Sequence, residues 1–94
     1  MTSYVYIVRC RDDTFYVGLT TNLRRRIWQH NNGYFKGSFT KGRLPVRLVY
    51  WEKYLDKHKA ALREKEIKDW RREKKIILIN KFTSNPARRD EKGR

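Results

Sequence analysis

Apolar and β-branched residues cluster in two short runs near the start of the chain, at residues 3–10 and 14–19, separated by the polar break Arg11-Asp12-Asp13. Runs of this length around a short polar break predict an antiparallel hairpin. Val5 and Ile7 on the first strand and Phe15, Val17 and Leu19 on the second form the natural core-facing sets, and all are odd-numbered. Because side chains alternate faces with period two, paired positions must then sum to an even number. A three-residue loop that pairs residue 10 with 14 meets this condition and sets 8 opposite 16 and 6 opposite 18. Tyr4, Tyr6, Tyr16 and Gly18 then share the other face.

After the hairpin, Thr21 or Asn22 can cap a short helix that contains Leu23-Arg24-Arg25-Arg26-Ile27-Trp28-Gln29-His30 and stops at Asn31-Asn32-Gly33. Leu23 and Ile27 form its apolar stripe. Arg26 and His30 lie beside that stripe with the same i, i+4 spacing and can reach one common point. Residues 33–45 combine three glycines with Pro45, Lys36, Lys41 and Arg43, and Arg47 follows closely; this reads as a mobile basic loop able to grip phosphate. A third strand over residues 46–52 follows, then a helix over 57–72 capped by Asp56. The run Ile76-Ile77-Leu78-Ile79, extended by Asn80-Lys81-Phe82, predicts a short last helix ended by Ser84-Asn85-Pro86. No internal repeat or composition shift marks a second unit. Residues 1–83 read as one domain and residues 84–94 as a charged tail expected to stay disordered.

Charge changes this picture more than composition does. The 94 residues include 24 Lys and Arg against 10 Asp and Glu, a formal net charge of +14. Self-repulsion of that size in a small domain points to a polyanionic partner, with nucleic acid first and DNA ahead of RNA. The mean hydropathy of −0.96 alone would suggest disorder, but the periodic apolar clusters argue for a folded core. No stretch approaches the roughly 20 apolar residues of a membrane span, so membrane association ranks low. The single Cys10 can form no internal disulfide, and the start of the chain lacks a signal-peptide pattern, so a cytoplasmic location is expected. Cys10 itself reads as a half-buried strand residue, since it has no metal-site spacing around it.

Several residues admit both a chemical and a structural reading. On a helical wheel Glu64 shares a face with Ala60, Ala61, Ile67 and Lys68, away from Glu66, Asp69 and Glu73. An acid on a small-residue face needs a partner, either a Lys or Arg in a salt bridge or a hard divalent cation. Tyr6 and Tyr16 can be packing residues or site residues. Gly18 opposite Tyr6 favours the second, because a glycine inside a strand often admits a ligand or another backbone at close range. Arg26 beside His30 forms a plausible phosphate fork.

Tyr4-Val5-Tyr6, then Tyr16-Val17-Gly18 ten residues after Tyr6, then Asn22-Leu23-Arg24-Arg25-Arg26, resemble the signature of the GIY-YIG nucleases, a family that includes an excision-repair incision subunit and intron-encoded homing endonucleases. The helical stretch from Ala61 to Lys68 is similar to that of the small stand-alone bacterial members. The resemblance implies an α+β fold, a small three-stranded sheet flanked by helices in the order β-β-α-β-α-α, with the site on the polar sheet face. By motif position it assigns Tyr6 and Tyr16 as the signature tyrosines, Gly18 as the signature glycine, Arg26 as the phosphate-binding arginine and Glu64 as the metal-binding glutamate. His30 matches a histidine that some members place one turn after the arginine. Arg24, Arg25, Lys36, Lys41 and Arg43 join Gly18 as expected nucleic-acid contacts. The chain departs from the family pattern at Tyr4, in place of the first glycine, and at Leu19, in place of a lysine; Asn80 and Asn85 are the candidates for a late asparagine.

The implied activity is metal-dependent hydrolysis of a phosphodiester, an endonuclease reaction. Glu64 would hold a single Mg2+ or Mn2+, and Tyr6 or Tyr16 would position or deprotonate a water while Arg26 stabilises the developing charge. Two other readings stay open: a basic nucleic-acid-binding module without turnover, and an accessory subunit whose specificity comes from a protein partner.

Overall fold

The computed structural model describes residues 2–33 and 42–84. Strands β1 (Ser3–Arg9) and β2 (Phe15–Thr20) form the expected hairpin, with Tyr6 opposite Gly18 and Val8 opposite Tyr16. The turn is closed by the Cys10 N–H donating to the Thr14 carbonyl at 2.8 Å and the Asp13 N–H donating to the Cys10 carbonyl at 2.9 Å. Asp13 takes the left-handed conformation (φ 68°) that such short hairpin loops require, and Asp is among the few non-glycine residues that tolerate it. Cys10 lies just past the strand end and is fully buried, so it is a core residue of the turn and not a half-buried strand position. Strand β3 (Arg47–Tyr54) pairs antiparallel with the other edge of β1, giving the order β2-β1-β3.

The central strand carries four consecutive residues with no exposed surface, Val5, Tyr6, Ile7 and Val8. An amphipathic edge strand cannot do this; it requires cover on both faces. One face packs Val5, Ile7, Val17 and Tyr50 against Ala60, Ile67, Ile79 and Phe82 from the later helices. The other packs Tyr6, Val8, Cys10 and Val46 against Leu23 and Ile27 of the first helix and Leu44 and Leu48 around the third strand. The Tyr6 face is therefore covered by the first helix and holds a second, smaller core.

Helix α1 (Leu23–Asn31) starts where Asn22 Oδ1 accepts from the Arg25 N–H at 3.0 Å. The Asn31 side chain ties its end to the residue just before the third strand, accepting from the Val46 N–H at 2.7 Å and donating to the Val46 carbonyl at 3.1 Å. Asp56 caps helix α2 (Lys57–Lys68) through the His58 and Lys59 N–H groups. The expected single helix over 57–72 is broken: α2 ends at Lys68 and α3 (Arg72–Ser84) begins after three residues. The break is a tight turn in which the Trp70 N–H donates to the Ile67 carbonyl at 3.0 Å, and the Trp70 ring is held between the cations of Arg63 (5.1 Å) and Lys74 (4.3 Å). The last apolar run is helical, as its spacing suggested. No helix among the described residues is long and apolar enough to cross a membrane.

Candidate active site

The pairing of Tyr6 with Gly18 places a large ring beside the one position on β2 without a side chain. A Cβ added to Gly18 would lie 2.5 Å from Tyr6 Cζ and 2.8 Å from Cε2, with the hydroxyl closer still. The space above Gly18 is thus filled by the Tyr6 ring itself, where the sequence suggested room for a ligand or another backbone. The ring reaches over Gly18 and carries its hydroxyl to His30 Nε2 at 3.1 Å. Tyr16, two pairs further along the hairpin and on the same face, completes an aromatic cluster: its ring centroid is 5.4 Å from that of His30 and 6.3 Å from that of Tyr6. Tyr6 and His30 are buried, whereas Tyr16 is partly exposed. Arg26, one turn before His30 on α1, flanks the same cluster and reaches the Leu19 carbonyl at 3.5 Å through a terminal guanidinium nitrogen.

Burial sets the protonation states here. Tyr6 is pushed up to about 12, first by loss of solvent and then by the neighbouring Tyr16, with the Arg26 guanidinium pulling the other way and Glu64 adding to the rise. It is a neutral phenol across the physiological range. His30 is held below its ordinary value by burial and by the positive charge of Arg26, so its imidazole is neutral near pH 7.

Glu64 approaches from the opposite layer. The buried stripe of α2 is centred on Ala60 and Ile67, with Arg63 and Glu64 at its two margins. Ala61, placed on that face by the helical wheel, is exposed instead. On the β3 side, Arg63 donates to both carboxylate oxygens of Glu52 at 2.9 to 3.1 Å, and Glu52 also accepts from the Tyr50 and Tyr54 hydroxyls. Burial alone would raise the Glu52 carboxyl, but these donors hold it below its usual range. On the other margin, Glu64 Oε2 meets Lys68 Nζ at 3.1 Å, with side-chain exposures of 21% and 50% respectively. Lys68 in turn shares a groove with Phe15, Tyr16 and Val17 on β2. The Glu64–Lys68 pair was legible as an i, i+4 spacing in the sequence, and the Glu52–Arg63 network was not.

The donor set around Glu64 suits a hard ion that keeps most of its own waters. It offers a single carboxylate, whose counter-cation is half exposed, and no group of three His, Cys, Asp or Glu side chains occurs among the described residues. Of the basic residues expected to grip phosphate, Arg24 and Arg25 are exposed on α1. Arg43 is engaged at the hairpin end, its Nε 3.0 Å from Asp12 Oδ2. Lys36 and Lys41, and Asn85 with the rest of the tail, lie outside the described residues. Asn80 is exposed on α3, beside a small cavity lined by Arg9, Phe15 and Arg72 that the Tyr6 cluster does not share.

Two tyrosines, a glycine, an arginine and a histidine converging from β1, β2 and α1, with a helical glutamate behind them, define a GIY-YIG catalytic domain, and the model of that domain matches residues 2–76. The chain belongs to this family, whose members are typically endonucleases acting on nucleic acid and generally use a divalent metal. Within it, the chain is similar to UPF0213 proteins. One from Staphylococcus haemolyticus is 49% identical over 77 residues, covering 81% of this chain and 92% of the relative; one from Clostridium perfringens is 46% identical over 78 residues, covering 83% of each. The solution structure of a UPF0213 protein from Bacillus halodurans superposes with a TM-score of 0.58 at 38% identity, covering 94% of this chain and 92% of that one. A structure from E. faecalis gives 0.62 at 30% identity and 90% coverage of each.

Proposed function

We propose that the protein is a metal-dependent endonuclease that hydrolyses nucleic-acid phosphodiester bonds, DNA ahead of RNA, in the cytoplasm. The observation that carries this reading is the Tyr6–His30 pair at 3.1 Å, packed over Gly18, flanked by Tyr16 and Arg26 and within the field of Glu64. A structural core has no need to gather two tyrosines, a histidine and an arginine around one point.

The two tyrosines separate into different roles. Tyr6 is fully buried and stays protonated, so it serves as a neutral hydrogen-bonding post that orients His30. Tyr16 is the ring of the pair that reaches solvent, and its hydroxyl is the group placed to hold the attacking water. His30, neutral and edge-on to Tyr16, can take up a proton passed from that water. Arg26 offers a planar guanidinium fork to the phosphate, stabilising the charge that grows on it. Glu64 would hold one Mg2+ or Mn2+ after Lys68 swings away; the ion, when bound, supplies charge neutralisation at the phosphate and at the leaving oxygen.

The test is cleavage of end-labelled single-stranded, nicked, branched and duplex substrates by the purified protein with Mg2+, with Mn2+ and with chelator. Defined fragments with either ion and none with chelator support the reading. Tight binding with no cleavage of any substrate would instead make the chain a binding module, and activity appearing only with an added protein would make it an accessory subunit.

A further inference from the structure

The outer face of α1 carries a feature that the proposed chemistry does not use. Trp28 is 61% exposed, while the other two tryptophans are packed: Trp51 against Tyr4 and Phe82, and Trp70 between Arg63 and Lys74. A single exposed apolar residue would need no explanation. Trp28, however, lies one turn from Arg24 and Arg25, and the three residues with Asn22 line a shallow groove of about 320 Å3. Helix α1 contains three arginines and no acid. Among the described residues no ion pair joins Arg24 or Arg25 to a carboxylate.

The helix is also firmly held. Its start is capped by Asn22, its inner face packs Leu23 and Ile27 on the sheet, and the Trp28 carbonyl accepts from both the backbone and the side chain of Asn32, the latter at 2.8 Å. A large flat ring presented on a rigid element, with two exposed cations beside it, is complementary to a nucleobase and its phosphates. An apolar protein surface would be poorly served by the same face, since docking there would desolvate both arginines.

We infer that Trp28, Arg24 and Arg25 form a second nucleic-acid subsite, on which an unpaired base of the substrate stacks. This rests on the nucleic-acid reading above and narrows it to substrates with a single-stranded stretch beside the cleaved bond. Trp28 and the Arg26–His30 edge lie on opposite sides of α1, and crossing a helix of about 10 Å diameter takes roughly three nucleotides of strand. Bases inside a duplex are stacked on each other and cannot use the ring, whereas the arginines can meet phosphates of either form.

The experiment measures binding in chelator, so that cleavage plays no part, with a fluorescent thymidine 15-mer and a blunt two-stranded duplex of equal charge that has no unpaired base. Wild type is compared with Trp28→Phe, Trp28→Leu and the double change Arg24→Gln, Arg25→Gln. Because Trp28 is exposed, its variants should fold as wild type does, which thermal melting checks. Trp28→Leu is expected to weaken single-strand binding on the order of 5- to 100-fold and to leave duplex binding unchanged, with Trp28→Phe retaining most of the affinity. The arginine pair should weaken both ligands and flatten the salt dependence. Equal losses on both ligands for Trp28→Leu, or none on either, would overturn the stacking subsite, and the second result would turn attention to a protein partner at Trp28. Failure of wild type to bind either ligand would overturn the nucleic-acid reading itself.

Discussion

Substituting Gly18 by alanine tests the geometry at the centre of the site, because two ordinary rules give opposite signs for it. Gly18 sits inside a strand without a left-handed backbone, so on conformational grounds alanine should stabilise by about 0.5 to 1 kcal/mol. The structure instead places the new methyl 2.5 Å from Tyr6 Cζ and 2.8 Å from Cε2. Ordinary carbon contacts need about 3.5 Å, so the ring must move by roughly 1 Å. It has little room, since Tyr6 is wholly buried against Tyr16 and His30. Overpacking of this kind costs about 1 to 3 kcal/mol, and loss of the bond to His30 adds about 1 kcal/mol. The net expectation for Gly18→Ala is a destabilisation of about 1 to 3 kcal/mol, read from urea unfolding with an unchanged m-value. Adding Tyr6→Phe should recover only part of it, because Cζ and Cε2 remain in the way. NMR titration of His30 in the alanine variant should show its pKa moving up toward the ordinary value as the displaced ring opens the pocket to water. Wild-type stability for Gly18→Ala together with an unchanged His30 titration would refute the close packing of Tyr6 on Gly18.

Three further outcomes follow from the same site. Among the described residues Glu64→Gln breaks a bridge to the half-exposed Lys68, so stability in chelator should change by less than about 1 kcal/mol while metal-induced stabilisation and cleavage disappear; Glu66→Gln, which faces solvent beside Arg63, is the control that should keep both. Arg26→Ala should reduce the cleavage rate by about 2.7 to 4 kcal/mol of transition-state stabilisation but affinity only slightly, a split visible in single-turnover rates set against binding curves. His30 has a folded pKa below its unfolded one, so the unfolded state takes up a proton first as pH falls. Its contribution is complete above the ordinary value of 6.5 and is lost as pH drops from there through the folded pKa, and a His30→Gln variant should show a flatter loss of melting temperature over that acid window.

Much of this molecule could be read from the chain alone, and for local reasons. The odd-numbered apolar sets and a three-residue polar loop admit one hairpin register, which already puts Tyr6 opposite Gly18. Asn22 and Asp56 announce helix starts because their side chains satisfy N–H groups only a few residues away. The i, i+4 spacing of Arg26 and His30 brings them to one point on any helix. What failed depended on contacts between elements, which spacing within one element does not announce. The break between α2 and α3 comes where the Trp70 ring meets the cations of Arg63 and Lys74, and no propensity at Asp69 or Arg71 signals it. Arg63 looks like any solvated arginine until β3 brings Glu52, Tyr50 and Tyr54 to its fork.

The sequence by itself determined which residues could do chemistry and along which strand or helix each would lie, because period-two and 3.6-residue spacing dictate faces within an element. Only the tertiary structure decided what those faces meet. It closed the Tyr6 face with α1, and so turned one tyrosine into a buried post while leaving Tyr16 at the solvent. It filled the gap over Gly18 with a ring from the neighbouring strand. Burial and the charge of Arg26 made His30 neutral, and Glu64 gained its place from α2 packing across β1 and β2. These are properties of desolvation and of proximity between elements, which a linear pattern does not encode.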